Sequence, residues 1–148
     1  MKKVFTLLLV TMVFGTLNLS AQIRKIPAAV TEAFKEQYPD ATLVEWRDKI
    51  AFFQVSFEMA GIAYQANYLP KGEWQSTEMA INETDIPDEV LEGLDKSKYT
   101  DWELRSAYKI YLPGNQLNFR LHVVKSELQK KNLLFDRDGR LLKDNITL

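Results

Sequence analysis

The chain has 148 residues, a formal net charge of −1, no cysteine and one histidine. Without cysteine there is no disulfide framework, and one imidazole cannot complete a zinc site that needs three or four nitrogen or sulfur ligands. Charge this close to balance leaves no electrostatic footprint for nucleic acid or anionic lipid.

The chain opens with "MKK", a short basic segment, and then "VFTLLLVTMVFG". That apolar run is too short and wrongly flanked for a membrane span, which takes about 18–20 residues. "LNLSAQ" then supplies small residues for a cut between Ala21 and Gln22. Residues 1–21 are therefore expected to be a secretory signal peptide, leaving no membrane anchor after cleavage. No cysteine follows the apolar run to take a lipid. The mature chain is expected to be periplasmic or secreted, and losing Lys2 and Lys3 takes its charge from −1 to −3. A chain of this size buries roughly two-thirds of its unfolded surface, so a core alone can hold it.

"IPAAVTEAF", from Ile26, predicts a helix entered through Pro27 at the first helical position, where a missing N–H loses no intrahelical bond. Ile26 and Val30 lie one turn apart, and Ala33, Phe34 and Tyr38 continue the apolar stripe. Pro39 ends the helix. "TLVEW" follows as a strand. In "FFQVSFEMAGIAYQANYLPKGEWQSTEMAI" the period changes to two, with turns at Ala60-Gly61 and Pro70–Glu73. A two-residue loop at Ala60-Gly61 sets Met59 against Ile62, Phe57 against Tyr64, Val55 against Ala66 and Phe53 against Tyr68. Glu58, Gln54, Ser56, Gln65, Asn67 and Ala63 then share the other face. A one-residue slip would scramble this segregation. The result is an antiparallel sheet with one covered and one wet side.

"IPDEVLEGL" repeats the helix entry sixty positions on, with Asp88 and Glu89 complementing the helix dipole. This second helix is expected to loosen at Gly93 and finish near Ser97–Tyr99. "WELRSAYKIYL" and "NFRLHVVKS" read as strands, and "NLLFDRDGRLL" as a closing hairpin like "ANYLPKGEW". The prolines are 60 residues apart and the turn glycines, Gly72 and Gly139, 67 apart. About seven residues are therefore inserted in the second copy, at "YLPGNQ", giving longer loops. The expected fold is α+β: a tandem repeat of a helix plus about four antiparallel strands, both helices packed on one face of a curved sheet. The expected units are residues 1–21 as signal peptide, 22–82 as first repeat and 83–148 as second, in one compact body.

The export signal, "IPAAVTEAFKEQYPDATLVEW", the aromatic hairpin ending in "YLPKGEW" and a second copy ending in "FDRDGRLL" together resemble the PepSY-like family over the whole mature chain. These are small exported proteins common in Bacteroidota, similar in fold to the β-lactamase inhibitor protein. The resemblance implies a tandem α+β repeat outside the cytoplasm. It brings no established activity, so no catalytic residue transfers. The name is shared with domains of secreted protease propeptides that restrain their proteases, which makes inhibition a role by analogy of fold alone.

The residues themselves carry no catalytic constellation. There is no thiol, no G-x-S-x-G turn and no glycine-rich phosphate cradle. His122 falls at a polar-facing strand position and reads as a surface histidine. "DRDG" offers Asp136 and Asp138 but lacks the later ligands and closing Glu of a calcium loop, and reads as a hairpin turn. No spacing singles out a pair of carboxylates for glycoside chemistry. The expectation is a non-enzyme with no cofactor and no metal.

One constellation points outward. If Pro70–Glu73 is a four-residue loop, Leu69 faces Trp74, and Phe52, Leu69 and Trp74 form an apolar patch on the wet face. Gln54, Asn67, Ser76, Gln65 and Glu78 then rim it, as polar residues rim a protein-binding hot spot. The expected function is an exported binding module that docks an unidentified protein or peptide there, inhibition of an exported hydrolase being one form of it. The alternatives are a small-molecule or peptide binder with a cleft between helices and sheet, and a structural envelope component. Trp46 and Trp102 are expected in the core.

Overall fold

The structure, a computed structural model, describes residues 25–146; the expected signal peptide lies outside this range. Helix α1 spans Ala28–Gln37 and helix α2 Asp88–Asp95. Pro27 and Pro87 are N-caps rather than first helical residues, with φ of −62° and −58°. Their carbonyls accept from Val30 and Thr31, and from Val90 and Leu91. A missing N–H is as harmless at the cap as one position later. Helix α1 ends before Pro39, as expected, but α2 stops short of Ser97–Tyr99. The Ser97 hydroxyl donates to the Leu94 carbonyl (2.7 Å) and accepts from the Tyr99 N–H (3.0 Å), closing the last turn with local bonds.

Eight strands follow in chain order: β1 (Thr42–Asp48), β2 (Phe53–Met59), β3 (Ile62–Tyr68), β4 (Trp74–Ile81), β5 (Glu103–Leu112), β6 (Gln116–Ser126), β7 (Gln129–Asp136) and β8 (Leu141–Ile146). They form one sheet whose spatial order is the sequence order, antiparallel throughout. With two helices on it, the fold is α+β.

The β2–β3 register is the one the sequence pattern predicts, from Met59 opposite Ile62 to Phe53 opposite Tyr68. Ala60 and Gly61 both have positive φ, 50° and 77°, as a two-residue hairpin turn of matching twist requires. From β2 to β7 one row runs Phe57–Tyr64–Met79–Lys109–Phe119–Phe135, and both cores lie on that face. Val30 and Phe34 of α1 pack with Phe53, Val55, Phe57, Ala66 and Tyr68. Ile86, Val90 and Leu94, in and just before α2, pack with Phe119, Leu121, Val123, Leu133 and Phe135. Trp46 and Trp102 join these two cores, at 5.4 Å from the Phe34 ring and 5.2 Å from the Tyr99 ring.

The second half gains most of its length in strands rather than loops, although the α2–β5 connection, residues 96–102, is longer than the α1–β1 connection, residues 38–41. Strands β5 and β6 have ten and eleven residues where β1 and β2 have seven each, so the extra residues extend the hairpin around Pro113–Asn115.

The closing hairpins of the two halves share one geometry. In each, three residues make the loop, ending in a glycine of positive φ: Gly72 at 88° and Gly139 at 79°. Leu69 N–H donates to Glu73 O, and Asp136 N–H to Arg140 O. Each glycine also lies against a helix entry. A Cβ on Gly72 would come within 2.5 Å of the Ala29 carbonyl oxygen, and one on Gly139 would overlap the Glu89 carbonyl. Gly93 is explained by the same approach, because its Cβ would overlap the Gly139 carbonyl; it lets α2 sit close and does not loosen it.

Candidate functional site

On the face away from the helices, one row runs Glu45–Ser56–Gln65–Glu78–Ile110–Asn118–Asp136 across seven strands. No helix of the described residues covers it. The expected rim is assembled there: Gln54 Nε2 donates to Asn67 Oδ1 (3.2 Å), and Asn67 Nδ2 to Ser76 Oγ (3.0 Å), linking β2, β3 and β4.

The apolar patch that this rim was expected to surround is not assembled. Gly72 closes a three-residue loop, so the strand returns one position earlier and Trp74 opposes Tyr68, not Leu69. A bulge at Gln75 then restores the Asn67–Ser76 pair. Trp74 therefore lies on the helix side, partly buried against the first core. Its Nε1–H donates to Thr77 Oγ1 (2.8 Å), which also bonds the Tyr38 hydroxyl at 2.5 Å. Thr77 is the one buried polar side chain of the described residues, and these bonds satisfy it. Burial pushes the Tyr38 and Tyr68 hydroxyls above their usual pKa, so both stay neutral. Phe52 and Leu69 are half-buried, one position beyond the Phe53–Tyr68 pair.

The open face is instead built around Arg120 on β6. Its guanidinium stacks over the Tyr108 ring at 4.3 Å, and Nη2 meets Glu78 Oε1 at 2.8 Å. The Arg120 and Glu78 side chains are only 28% and 22% exposed, so this pair is better shielded from water than the other ion pairs described. Neighbouring His122 Nδ1 lies 3.3 Å from Asn132 Oδ1 on β7. A planar cation held between an aromatic face and a carboxylate is already ordered, so it loses little freedom on meeting a partner. Sequence alternation places Arg120 on this face beside Phe119 and Leu121. Its meeting with Glu78 depends on the β4–β5 register, which spans α2 and has no short turn to fix it.

On the other face, a groove of about 610 Å³ runs between α1 and β1, lined by Phe34, Lys35, Tyr38, Pro39, Val44 and Trp46. Among the described residues, no group of three or more His, Cys, Asp or Glu is placed to hold a metal ion. No described helix is long and apolar enough to cross a membrane.

Residues 17–63 and 51–143 match the family model described as "Putative beta-lactamase-inhibitor-like, PepSY-like". The chain belongs to this PepSY-like family. Solved structures share its fold. A protein of Bacteroides eggerthii, described as a putative periplasmic protein, is 24% identical with a TM-score of 0.72, covering 82% of this chain and 88% of its own. A DUF2874 family protein of Bacteroides ovatus is 22% identical with a TM-score of 0.73, covering 82% and 87%. A BLIP-like protein of Bacteroides fragilis is 24% identical with a TM-score of 0.68, covering 80% and 85%. At these identities the likeness is one of fold. No curated protein matches the chain.

Proposed function

We propose that this PepSY-like protein is an exported, non-catalytic binding module that docks a partner protein on its helix-free sheet face. The observation that carries the reading is the Arg120–Tyr108–Glu78 cluster: an ordered, half-buried arginine and aromatic pair at the centre of an uncovered sheet. Arginine and tyrosine are the side chains most often found at the energetic centre of protein interfaces, and a hydrogen-bonded polar rim like Gln54–Asn67–Ser76 suits its edge. Phe52 and Leu69 extend this surface beyond the rim, and Trp74 acts from behind the sheet by holding Thr77. Restraint of an exported hydrolase is one form such docking takes.

The scaffold is a duplicated unit, residues 22–82 and 83–148, behind a signal peptide over residues 1–21, and it works in the periplasm or outside the cell. The twice-used hairpin geometry and the twice-used glycine seat against a helix entry support the duplication.

A photo-cross-linking residue at Ala80, on the open face, tests the docking surface, with Lys35 on the helix side as control. In the native envelope fraction, Ala80 is expected to give a discrete adduct that Arg120→Ala removes. Adducts from Lys35 alone would overturn the reading.

A further inference from the structure

The two edges of the sheet are not alike. Strand β8 presents Lys143, and a two-fold axis through Lys143 or Asp144 sets that charge against its own copy, as expected of an edge guarded against pairing. Strand β1 reads Val44-Glu45-Trp46-Arg47. Its outer side pairs with no strand among the described residues. It also carries exposed apolar side chains, Leu43 at 71% and Val44 at 41%, and it borders the apolar groove beside α1. A bulge separates Thr42 from Glu45, and Leu43 sits there with φ of 50°. Regular pairing is thereby confined to the segment from Glu45 onward.

The geometry points to a second copy of this chain as the occupant of the β1 edge, in an isologous antiparallel pair with its two-fold axis at Trp46. Antiparallel pairing about a two-fold axis perpendicular to the sheet puts a residue opposite its own copy, with neighbours exchanged around it. An axis at Glu45 or Arg47 would oppose like charges. An axis at Trp46 opposes Glu45 to Arg47 of the second copy and Arg47 to its Glu45, giving two complementary pairs on one face. Both side chains are exposed, and neither makes an ion pair among the described residues, so both are free to engage. On the other face Trp46 meets its own copy, and Val44 comes opposite Asp48 of the second copy. The sheet becomes continuous through the dimer, and both Arg120 faces lie on the same side.

Sedimentation of the mature chain, residues 22–148, over a concentration series tests this. A reversible dimer with a dissociation constant of about micromolar order is expected, since the regular ladder is short. Glu45→Arg and Arg47→Glu should each weaken it at least about tenfold by opposing like charges across the axis. The double exchange, Glu45→Arg with Arg47→Glu, should restore it, and Leu43→Lys should weaken it as a lysine guards β8. Circular dichroism of each variant separates loss of pairing from loss of fold. A chain that stays monomeric at about 1 mM overturns the proposal, because an interface weaker than that is worth only ~4 kcal/mol. A dimer indifferent to the single reversals, or folded double-exchange protein that stays monomeric, overturns it as well.

Discussion

The two halves of the sheet carry the same architecture on different chemistry. In the first half the core is largely aromatic: Phe34 meets Tyr38, Trp46, Phe57 and Tyr68, with ring centroids 5.0–6.4 Å apart. A threonine hydroxyl buried there serves both Tyr38 and Trp74. In the second half aliphatic side chains of α2, β6 and β7 fill most of the equivalent space. Helix and hairpin approach more closely there, through Gly93 and Gly139. Position 33 of α1, sixty residues before Gly93, is alanine. A helix on four strands is thus filled in two ways here, and in both the hairpin turn sits against the helix entry.

Core truncation gives the largest test. Phe53→Ala and Leu121→Ala remove fully buried side chains from opposite halves, and each should cost about 3–5 kcal/mol. Calorimetry tells whether the halves unfold as one. A single transition lowered by either substitution marks one cooperative unit, and two transitions of which only one moves mark two.

Glycine replacement sharpens the comparison of the helix seats. Gly139→Ala combines a left-handed φ with overlap on the Glu89 carbonyl and should cost more than about 2 kcal/mol. Gly72→Ala, with its looser approach to Ala29, should cost less. Gly61→Ala meets nothing within 4 Å and should cost only the left-handed penalty of about 1 kcal/mol. Denaturant midpoints in that order support the seat, whereas equal midpoints would mean that φ alone decides.

Thr77→Val acts within the first core. It removes the partner of Trp74 Nε1–H and Tyr38 hydroxyl and should cost about 1–3 kcal/mol in urea unfolding.

Acid should find the second half first. Backbone N–H bonding from Arg140, then its side chain and the Asp138 N–H, holds the Asp136 carboxyl below its usual 3.8. The Tyr99 hydroxyl and then Lys98 do the same for Asp144. With the folded pKa depressed, this stabilisation is complete above the unfolded value and is lost as pH falls through the folded one. The first half has Leu69 where the second has Asp136. Amide exchange below pH 3.8 should therefore rise at the β7–β8 turn before the β3–β4 turn, and Asp136→Asn should abolish the difference. The smallest effect belongs to the exposed Lys96–Glu92 pair of α2, where Lys96→Ala should leave the urea midpoint essentially unchanged.

Local chemistry decided what was legible in the sequence. The helices, the β2–β3 register and the rim Gln54, Asn67 and Ser76 follow from prolines, period changes and a two-residue turn, all acting within a few residues. Trp74 falls on the other face because Pro70–Glu73 fits both a three- and a four-residue loop, and the choice sets which side Trp74 takes until the bulge at Gln75 restores the Asn67–Ser76 pair. Gly72 sits against Ala29 in the three-residue form, and Ala29 lies 43 residues earlier in the chain. Glu78 and Arg120 meet only through the β4–β5 pairing, so their cluster could not be foreseen from either strand alone.

The spatial order of the strands has a consequence for assembly. Because every strand borders its predecessor, a chain emerging N-terminus first can add each new strand to a template already in place. Only β5 must wait, while α2 is laid down between it and its neighbour. An interruption of synthesis or translocation after β4 would leave a four-stranded stub with its own helix and aromatic core, open along the edge that β5 later occupies.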